Sequence, residues 1–264
     1  MHKHPSALSN SMKSIEKKVK TGKITLQQPL WMLFSRLISF GVIQVLIAAG
    51  FALSGQAQPW YASSAWWPVS ATVSNLIGIF LLDRMARREG MKLKDLYRVE
   101  KHSFWRELLI CLAVFVISAP LSYIPNVALG NLLFGDVSIP AGMFFRPLPL
   151  WVVIVFSLVL FPATIALTEI PTYYSYVMPR LTAITGRPWA MVLLAGFIHA
   201  AQHMTLPLIF DWRFLAWRLL MFLPFALFLA AVLRWRPRLL PYLMIGHGLL
   251  DAQLFFMLLP VAIR

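Results

Sequence analysis

The chain has 264 residues, of which 59% are hydrophobic and only 13% are charged. Ordinary globular proteins contain roughly 25% charged residues, so this chain has too few charges to cover a water-exposed surface. The composition excludes a soluble protein and predicts a large apolar bundle solvated by lipid. The net charge of +14 does not indicate a nucleic-acid partner, because the basic residues flank apolar runs, where they meet anionic headgroups. The expected partner is a lipid bilayer.

Seven apolar runs are candidate membrane spans, since about 20 apolar residues cross a hydrocarbon core about 30 Å thick. They lie near residues 37–54, 66–82, 108–130, 150–178, 189–210, 216–234 and 239–262. Open strands are excluded because lipid cannot satisfy their free backbone groups. The predicted fold is therefore all-α, a polytopic transmembrane helix bundle of seven spans, or eight.

The connecting segments differ in charge, and this difference predicts their sides. Lys and Arg outside the spans are concentrated in residues 1–29, 84–107, 179–188 and 234–238, and are almost absent from 55–65 and 131–146. Basic loops stay on the cytoplasmic side of a membrane. We therefore expect a multi-pass protein of a bacterial plasma membrane with a cytoplasmic N-terminus and, for seven spans, a C-terminus on the opposite face.

This pattern divides the chain into three parts. Residues 1–29 form a polar, basic cytoplasmic segment, residues 30–146 contain the first transmembrane helices, and residues 147–264 form the transmembrane core. In the basic loop 84–107, the stretch 88–107 has apolar residues at near-helical spacing among many charges. This spacing predicts a helix along the cytoplasmic interface or a solvated connecting helix.

Ionisable residues inside the spans mark the candidate site. Of the ten acidic residues, only Glu169 and Asp251 fall well inside apolar stretches. The histidines His199, His203 and His247 also lie in spans. The other three histidines are in polar segments: His2, His4 and His102. An ionisable group near the bilayer centre costs at least about 2.5–3.5 kcal/mol, so it usually faces a polar cavity and has a function there.

Helix geometry brings these intramembrane groups to overlapping depths. At 1.5 Å per residue, Glu169 lies roughly 16 Å inward from the boundary marked by Arg180. By the same rise, His199 and His247 lie roughly 18 Å and 13 Å inward from the arginines that bound their own spans. One cavity between three helices could therefore hold all five groups.

Three residue pairs are four positions apart and therefore share a helix face. The pairs are His199 with His203, His247 with Asp251, and Glu169 with Tyr173. A carboxylate beside an imidazole can fix its tautomer and orientation, which is the expected role of Asp251 toward His247. The Tyr173 phenol could donate to Glu169.

Three segments in the last hundred residues carry a family resemblance. Residues 168–181, with Glu169 near their start, resemble the first motif region of the CPBP family, which comprises the CAAX-type and bacteriocin-processing (Abi) intramembrane proteases. His199-Ala-Ala-Gln-His203 resembles the second motif, and His247-Gly-Leu-Leu-Asp251 the third. The order and spacing of all three match, and they cover roughly residues 150–255.

The resemblance implies an intramembrane endopeptidase, a hydrolase in which Glu169 is the general base that activates water. It makes His203 the water-positioning partner, preferred over His199 because of the flanking glutamine, and His247 and Asp251 the residues that stabilise the oxyanion. Some members are described as metalloproteases. Glu169, His203 and His247 could equally hold a zinc ion with an open position.

The motifs also depart from the family pattern. The first motif usually has paired glutamates followed after three residues by an arginine, whereas here Glu169 stands alone and Tyr173 or Tyr174 occupies the arginine position. In the second motif, His199 fills the usual position of a phenylalanine relative to His203. His199 and Tyr173 are therefore secondary candidates for the site.

Asp251 raises a question of charge, because an ionised carboxylate cannot donate to an oxyanion. It must either stay protonated, which burial favours, or act by orienting His247.

Three functions stay open at this point. The first is an intramembrane protease whose peptide or membrane-protein substrate enters from the cytoplasmic side. The second is a binding or regulatory membrane protein of the same fold, suggested by the missing second glutamate and arginine. The third is a carrier, since two histidines of different spans could ligate haem axially and Glu169 with Asp251 could form a proton relay.

Overall fold

A computed structural model describes residues 10–97 and 104–263, which form helices and turns and contain no β-strand. This confirms the all-α prediction. Six helices in these residues are long and apolar enough to cross a membrane, which indicates an integral membrane protein. Numbered in chain order with the shorter helices, they are α2 (Gln27–Leu53), α4 (Trp67–Arg88), α5 (Phe104–Phe134), α7 (Leu150–Thr185), α9 (Trp212–Trp235) and α10 (Pro237–Val261). The shorter helices are α1 (Met12–Lys20), α3 (Pro59–Ala65), α6 (Ser138–Gly142) and α8 (Pro188–Ala201).

The run predicted as a span at residues 189–210 is interrupted. Helix α8 has only 14 residues, or about 21 Å, which is short of a bilayer core of about 30 Å. The chain continues through the 3-10 turn Gln202–Met204 and an irregular connection. Gln44 of α2 makes two hydrogen bonds, of 2.9 and 2.7 Å, with the backbone of Leu208 in that connection. The predicted count of seven or eight spans is therefore not confirmed.

Helix α7 changes to π-type hydrogen bonding over Pro171–Val177. Pro171 has no N–H and cannot bond the carbonyl of Leu167, four residues earlier. The Tyr97 hydroxyl donates to that carbonyl instead, at 2.9 Å, and burial raises the pKa of Tyr97, which keeps its proton in place. Single π turns occur often at functional sites, and this one begins two residues after Glu169.

In its described part, the loop after α4 contains only a short helical turn of the interfacial or connecting helix that the sequence predicts. Helix α4 ends at Arg88, and Gly90 follows with φ 72°, a left-handed conformation that favours glycine. Over the described part of the loop, only Leu93–Leu96 form a helical turn, of the 3-10 type, and Leu96 is buried. Residues 98–103, and with them His102, lie outside the described residues, as do His2 and His4.

Ion pairs join the elements at the basic end of the bundle. Arg180 of α7 donates to both carboxylate oxygens of Glu89, at 2.6 Å each. Lys18 of α1 lies 3.8 Å from the same carboxylate, and Ile15 of α1 is fully buried. The predicted polar segment 1–29 thus contains a helix docked on the bundle, followed by the start of α2.

Two apolar clusters fill the bundle, one on each side of the candidate site. Ile170 and Leu243 belong to the cluster nearer α1, and Ile165 and Trp217 to the cluster nearer α6. Glu169 lies between Ile165 and Ile170 on α7, and therefore where the two clusters meet.

Candidate active site

Glu169 is the centre of the candidate site. Its side chain is 1% exposed, and each carboxylate oxygen faces two nitrogen atoms. His199 Nε2 and His247 Nε2 lie 3.0 and 2.9 Å from Oε1. Arg36 Nη2 donates to Oε2 at 3.0 Å, and Gln202 Nε2 donates to it at 2.7 Å. These four contacts replace the water that the carboxylate gives up on burial.

Arg36 is a residue that sequence reasoning missed. Its Nε donates to Gln202 Oε1 and its Nη1 to Asn75 Oδ1, both at 2.7 Å. Asn75 Nδ2 in turn donates to Thr164 Oγ1 at 3.1 Å. Every guanidinium nitrogen therefore has an acceptor, and the charge is paired with Glu169. The available signal was a lone arginine among apolar residues, directly before the first predicted span.

Five helices bring the network together. They contribute Arg36 (α2), Asn75 (α4), Glu169 (α7), His199 (α8) and His247 (α10). Helix α10 approaches α7 closely at Gly248, where an added Cβ would lie 2.8 Å from the Pro162 carbonyl oxygen. Because His247 is next to Gly248, this close contact places the imidazole within reach of the carboxylate.

His199 is held on both ring nitrogens. Its Nδ1 lies 2.5 Å from the Tyr174 hydroxyl, which donates to the Ala226 carbonyl at 2.8 Å. With the hydroxyl proton on Ala226, Nδ1 must donate to Tyr174. His199 Nε2 and Glu169 Oε1 then share one proton in a hydrogen bond. Tyr173 stacks on the imidazole with a centroid separation of 5.0 Å.

His203, the water-positioning partner that the family resemblance implies, makes no hydrogen bond with Glu169 among the described residues, although both line one cavity. Its Nδ1 donates to the carbonyls of His199 and Ala200, at 3.2 and 3.3 Å, and its ring stacks on Phe222 at 3.7 Å. The reason is local, because α8 ends at Ala201 and His203 falls in a 3-10 turn, where residues four apart no longer share a face. His199 takes the position beside the carboxylate.

The motif tyrosines take partners other than Glu169. The Tyr173 hydroxyl, which the spacing would have allowed to donate to Glu169, donates to Gln202 Oε1 instead, at 3.1 Å. Tyr174 contacts His199. A guanidinium reaches the carboxylate from another helix, as Arg36 of α2.

Asp251 lies beside His247, as the spacing predicts. Its Oδ2 is 3.3 Å from His247 Nε2, the nitrogen that also meets Glu169. A carboxylate that fixes the tautomer of an imidazole bonds the ring nitrogen opposite the reacting one, whereas Asp251 approaches the same nitrogen as Glu169. Asp251 Oδ2 has no hydrogen-bond partner among the described residues.

A cavity of about 650 Å³ adjoins the site. Its wall is largely apolar and aromatic, with polar side chains from Glu169, His203, His247, Asp251 and Arg218. The same wall includes residues of α6 and the connection after it. The cavity therefore lies in the half of the bundle away from α1 and the basic loops.

The zinc site predicted from Glu169, His203 and His247 does not fit this arrangement. His203 is turned to the backbone, and no group of three or more His, Cys, Asp or Glu side chains in the described residues has the arrangement of a metal site. Arg36 also places a positive charge 3.0 Å from Glu169 Oε2, which disfavours a second cation there.

Axial haem ligation does not fit either. His199 Nε2 and His247 Nε2 both contact the same carboxylate oxygen of Glu169, at 3.0 and 2.9 Å. The carboxylate lies where an iron between two axial nitrogens would have to be.

Comparison with known proteins gives no match. No protein-family model matches this chain, and no curated protein or solved structure is significantly similar to it.

Proposed function

We propose that this protein is a CPBP-type intramembrane endopeptidase that hydrolyses peptide bonds of a peptide or membrane-protein substrate. One observation supports this most. A buried carboxylate oxygen of Glu169 meets imidazoles from two different helices at the wall of a cavity large enough for a peptide segment. A carboxylate and an imidazole that converge on one point can activate a water and position it for attack.

The residues suggest a sequence of proton transfers. Arg36 and Gln202 hold Oε2 of Glu169, and Oε1 accepts a proton once its contact with His247 opens. A water enters from the cavity between Oε1 and His247, gives its proton to Glu169, and its oxygen attacks the peptide carbonyl. His247 Nε2–H donates to the resulting oxyanion, and Asp251 adds a donor when protonated. Glu169 then returns the proton to the leaving amine.

The substrate reaches this site from the side opposite to the one first expected. With the N-terminus in the cytoplasm, the cavity lies in the outer half of a bacterial plasma membrane, because its wall includes Val137, Ala141 and Phe144 near α6. A substrate from the outer leaflet or from outside meets the carboxylate directly, whereas one from the cytoplasm must first pass the apolar cluster nearer α1.

The test is cleavage of a broad fluorogenic peptide library by purified protein. Glu169→Gln keeps the size of the side chain and removes the base, so cleavage per folded molecule should fall to background. Because the variant also removes the counter-ion of Arg36, its melting temperature is measured and cleavage is normalised to the folded protein. Glu16→Gln, an exposed position on α1, is the matched control and should leave cleavage intact. Undiminished cleavage by Glu169→Gln contradicts the proposal.

Treatment with a chelator tests the metal-free form of the mechanism. The Glu169 oxygens already face four nitrogen atoms, one of them from the Arg36 guanidinium. Because these contacts occupy the positions that a metal would need, we expect cleavage to survive dialysis against EDTA. We also expect wild type, Glu169→Gln and His247→Ala to contain equally little zinc. Stoichiometric zinc in wild type that is lost in both variants contradicts this mechanism.

A binding or regulatory function is the second candidate. The same four contacts that hold Glu169 leave no free lone pair for water unless one of them opens. This function is supported if no peptide in the library is cleaved and a membrane partner co-purifies with wild type but not with Glu169→Gln.

A further inference from the structure

Arg218 is a second buried arginine, and it has no acidic partner among the described residues. It lies seven residues into α9, is 6% exposed, and borders the same cavity as Glu169. An arginine at such depth in a span is costly unless its charge is compensated. In contrast to Arg36, whose guanidinium meets a carboxylate, Arg218 has only neutral contacts.

Those contacts fix the guanidinium and leave part of it free. Nε donates to the His203 carbonyl at 3.2 Å and Nη2 to the Leu206 carbonyl at 2.7 Å. The rings of Phe144 and Phe222 each lie 5.1 Å from the guanidinium carbon, so aromatic faces offset part of the charge. Nη1 makes no hydrogen bond to a described residue, although the side chain reaches the cavity.

Asn126 of α5 is a second donor at the same cavity. Its side-chain oxygen accepts from the Trp217 indole N–H at 3.1 Å, which directs the amide nitrogen away from that ring. The amide nitrogen has no partner in the described part of the chain, and Asn126 borders the same cavity as Arg218. A guanidinium and an amide N–H facing one apolar cavity match an anionic oxygen group.

We propose that Arg218 is an anion-binding subsite that receives a carboxylate of the bound peptide, above all a free C-terminal carboxylate. This rests on the proposed function, which places a peptide in the cavity. Arg218 donates to His203, and His203 and Glu169 line the same cavity, so a carboxylate on Arg218 would fix the peptide end relative to the carboxylate that activates water. The subsite thereby selects peptides cut near their C-terminus.

The test measures binding without cleavage, so it does not depend on the proposed chemistry. Glu169→Gln protein in detergent is titrated by calorimetry with an N-acetylated apolar tetrapeptide as the free acid and as the C-terminal amide. A charge-assisted hydrogen bond to a buried guanidinium should make the acid bind about 10- to 100-fold more tightly than the amide. Equal affinities of acid and amide overturn the proposal, and this comparison needs no substitution at Arg218.

Variants then assign the preference to one residue. Arg218→Gln should abolish the difference between acid and amide, Arg218→Lys should keep part of it, and the melting temperature of each variant reports folding. Retention of the full difference in folded Arg218→Gln contradicts the assignment.

Binding of decanoate tests whether the carboxylate that Arg218 receives comes from a lipid or from a peptide. Tighter binding of decanoate than of decanol that depends on Arg218, without any acid preference among the peptides, overturns the peptide source. If the protein binds the free acid more tightly than the amide but cleaves no peptide, the result supports the Arg218 subsite and contradicts only the proposed protease activity.

Discussion

Arg36 and Glu169 show at the residue scale how a charge is kept inside this bundle. Both side chains are 1% exposed, and their 3.0 Å contact is one of several hydrogen bonds that each makes. Burying two charges is costly, and the pair is tolerated only because the remaining donors and acceptors are also satisfied. Removing one partner should therefore cost more than the pair itself contributes.

Arg36→Gln tests this expectation. Loss of the cation leaves the Glu169 carboxylate underpaired, so unfolding should become easier by about 3–5 kcal/mol, seen as a large fall in melting temperature in detergent. Arg87→Gln removes an exposed ion pair with Asp83 and should change the melting temperature little. The double variant Arg36→Gln with Glu169→Gln should recover part of the loss. A double variant less stable than Arg36→Gln alone would contradict this account.

Tyr174 is the residue that fixes the far side of His199. Tyr174→Phe leaves His199 Nδ1 and the Ala226 carbonyl without their shared hydroxyl, so the imidazole loses its fixed orientation. We expect kcat for peptide cleavage to fall about 10- to 100-fold, with KM unchanged because Tyr174 does not line the 650 Å³ cavity. Tyr123→Phe, at a side chain 68% exposed, is the control. An effect on KM alone would argue against a positioning role.

The helices hold the side chains of the site in place, and their close contacts depend on small residues. A Cβ added at Gly196 of α8 would lie 3.1 Å from Leu227 Cα on α9, so the glycine allows these two helices to approach closely. Gly248 allows the same close approach of α10 to α7. Gly248 lies inside the segment that resembles the third family motif, between His247 and Asp251. Its physical role is to let two helices approach closely enough for His247 to reach Glu169.

Gly248→Ala should separate α10 from α7. The added Cβ would lie 2.8 Å from the Pro162 carbonyl oxygen and 2.9 Å from Ala166 Cβ, and the backbone atom cannot move aside without shifting a helix. Both the melting temperature and the cleavage rate should fall. Gly41→Ala in α2 meets nothing within 4 Å and should be neutral or slightly stabilising, because alanine favours helix over glycine. Equal behaviour of the two variants would rule out close packing as the function of Gly248.

The two ends of the whole bundle differ in structure. Helix α1 and the ion pairs to Glu89 lie at one end, and α6 and the cavity lie toward the other. The side of the membrane that each end faces decides where a substrate enters.

Single cysteines test this orientation. In a Cys111→Ser background, cysteines placed at Gln56 and Asp136 should react with a membrane-impermeant maleimide in right-side-out vesicles. Cysteines at Lys13 and Arg88 should react only after permeabilisation, since basic ends stay in the cytoplasm. All four positions are exposed in the structure. The reverse labelling pattern would show that the end with the cavity faces the cytoplasm, and would contradict the proposed orientation.

The amino-acid sequence by itself determined the class of this protein and the identity of its central groups. Long apolar runs can only be helices in lipid, and carboxylates or imidazoles are so costly there that Glu169, His199, His247 and Asp251 stood out without any structure. The break in the run 189–210 was not visible, because an apolar run has the same composition whether it is one helix or a short helix and a turn.

Only the tertiary structure decided which of these groups meet. Arg36 lies 133 positions from Glu169, and no local spacing links residues so far apart. The choice of His199 over His203 depended on where α8 ends, and the atom of His247 that Asp251 approaches depended on ring orientation. Pairing across helices is set by packing and side-chain geometry, which helical periodicity along one chain segment does not contain.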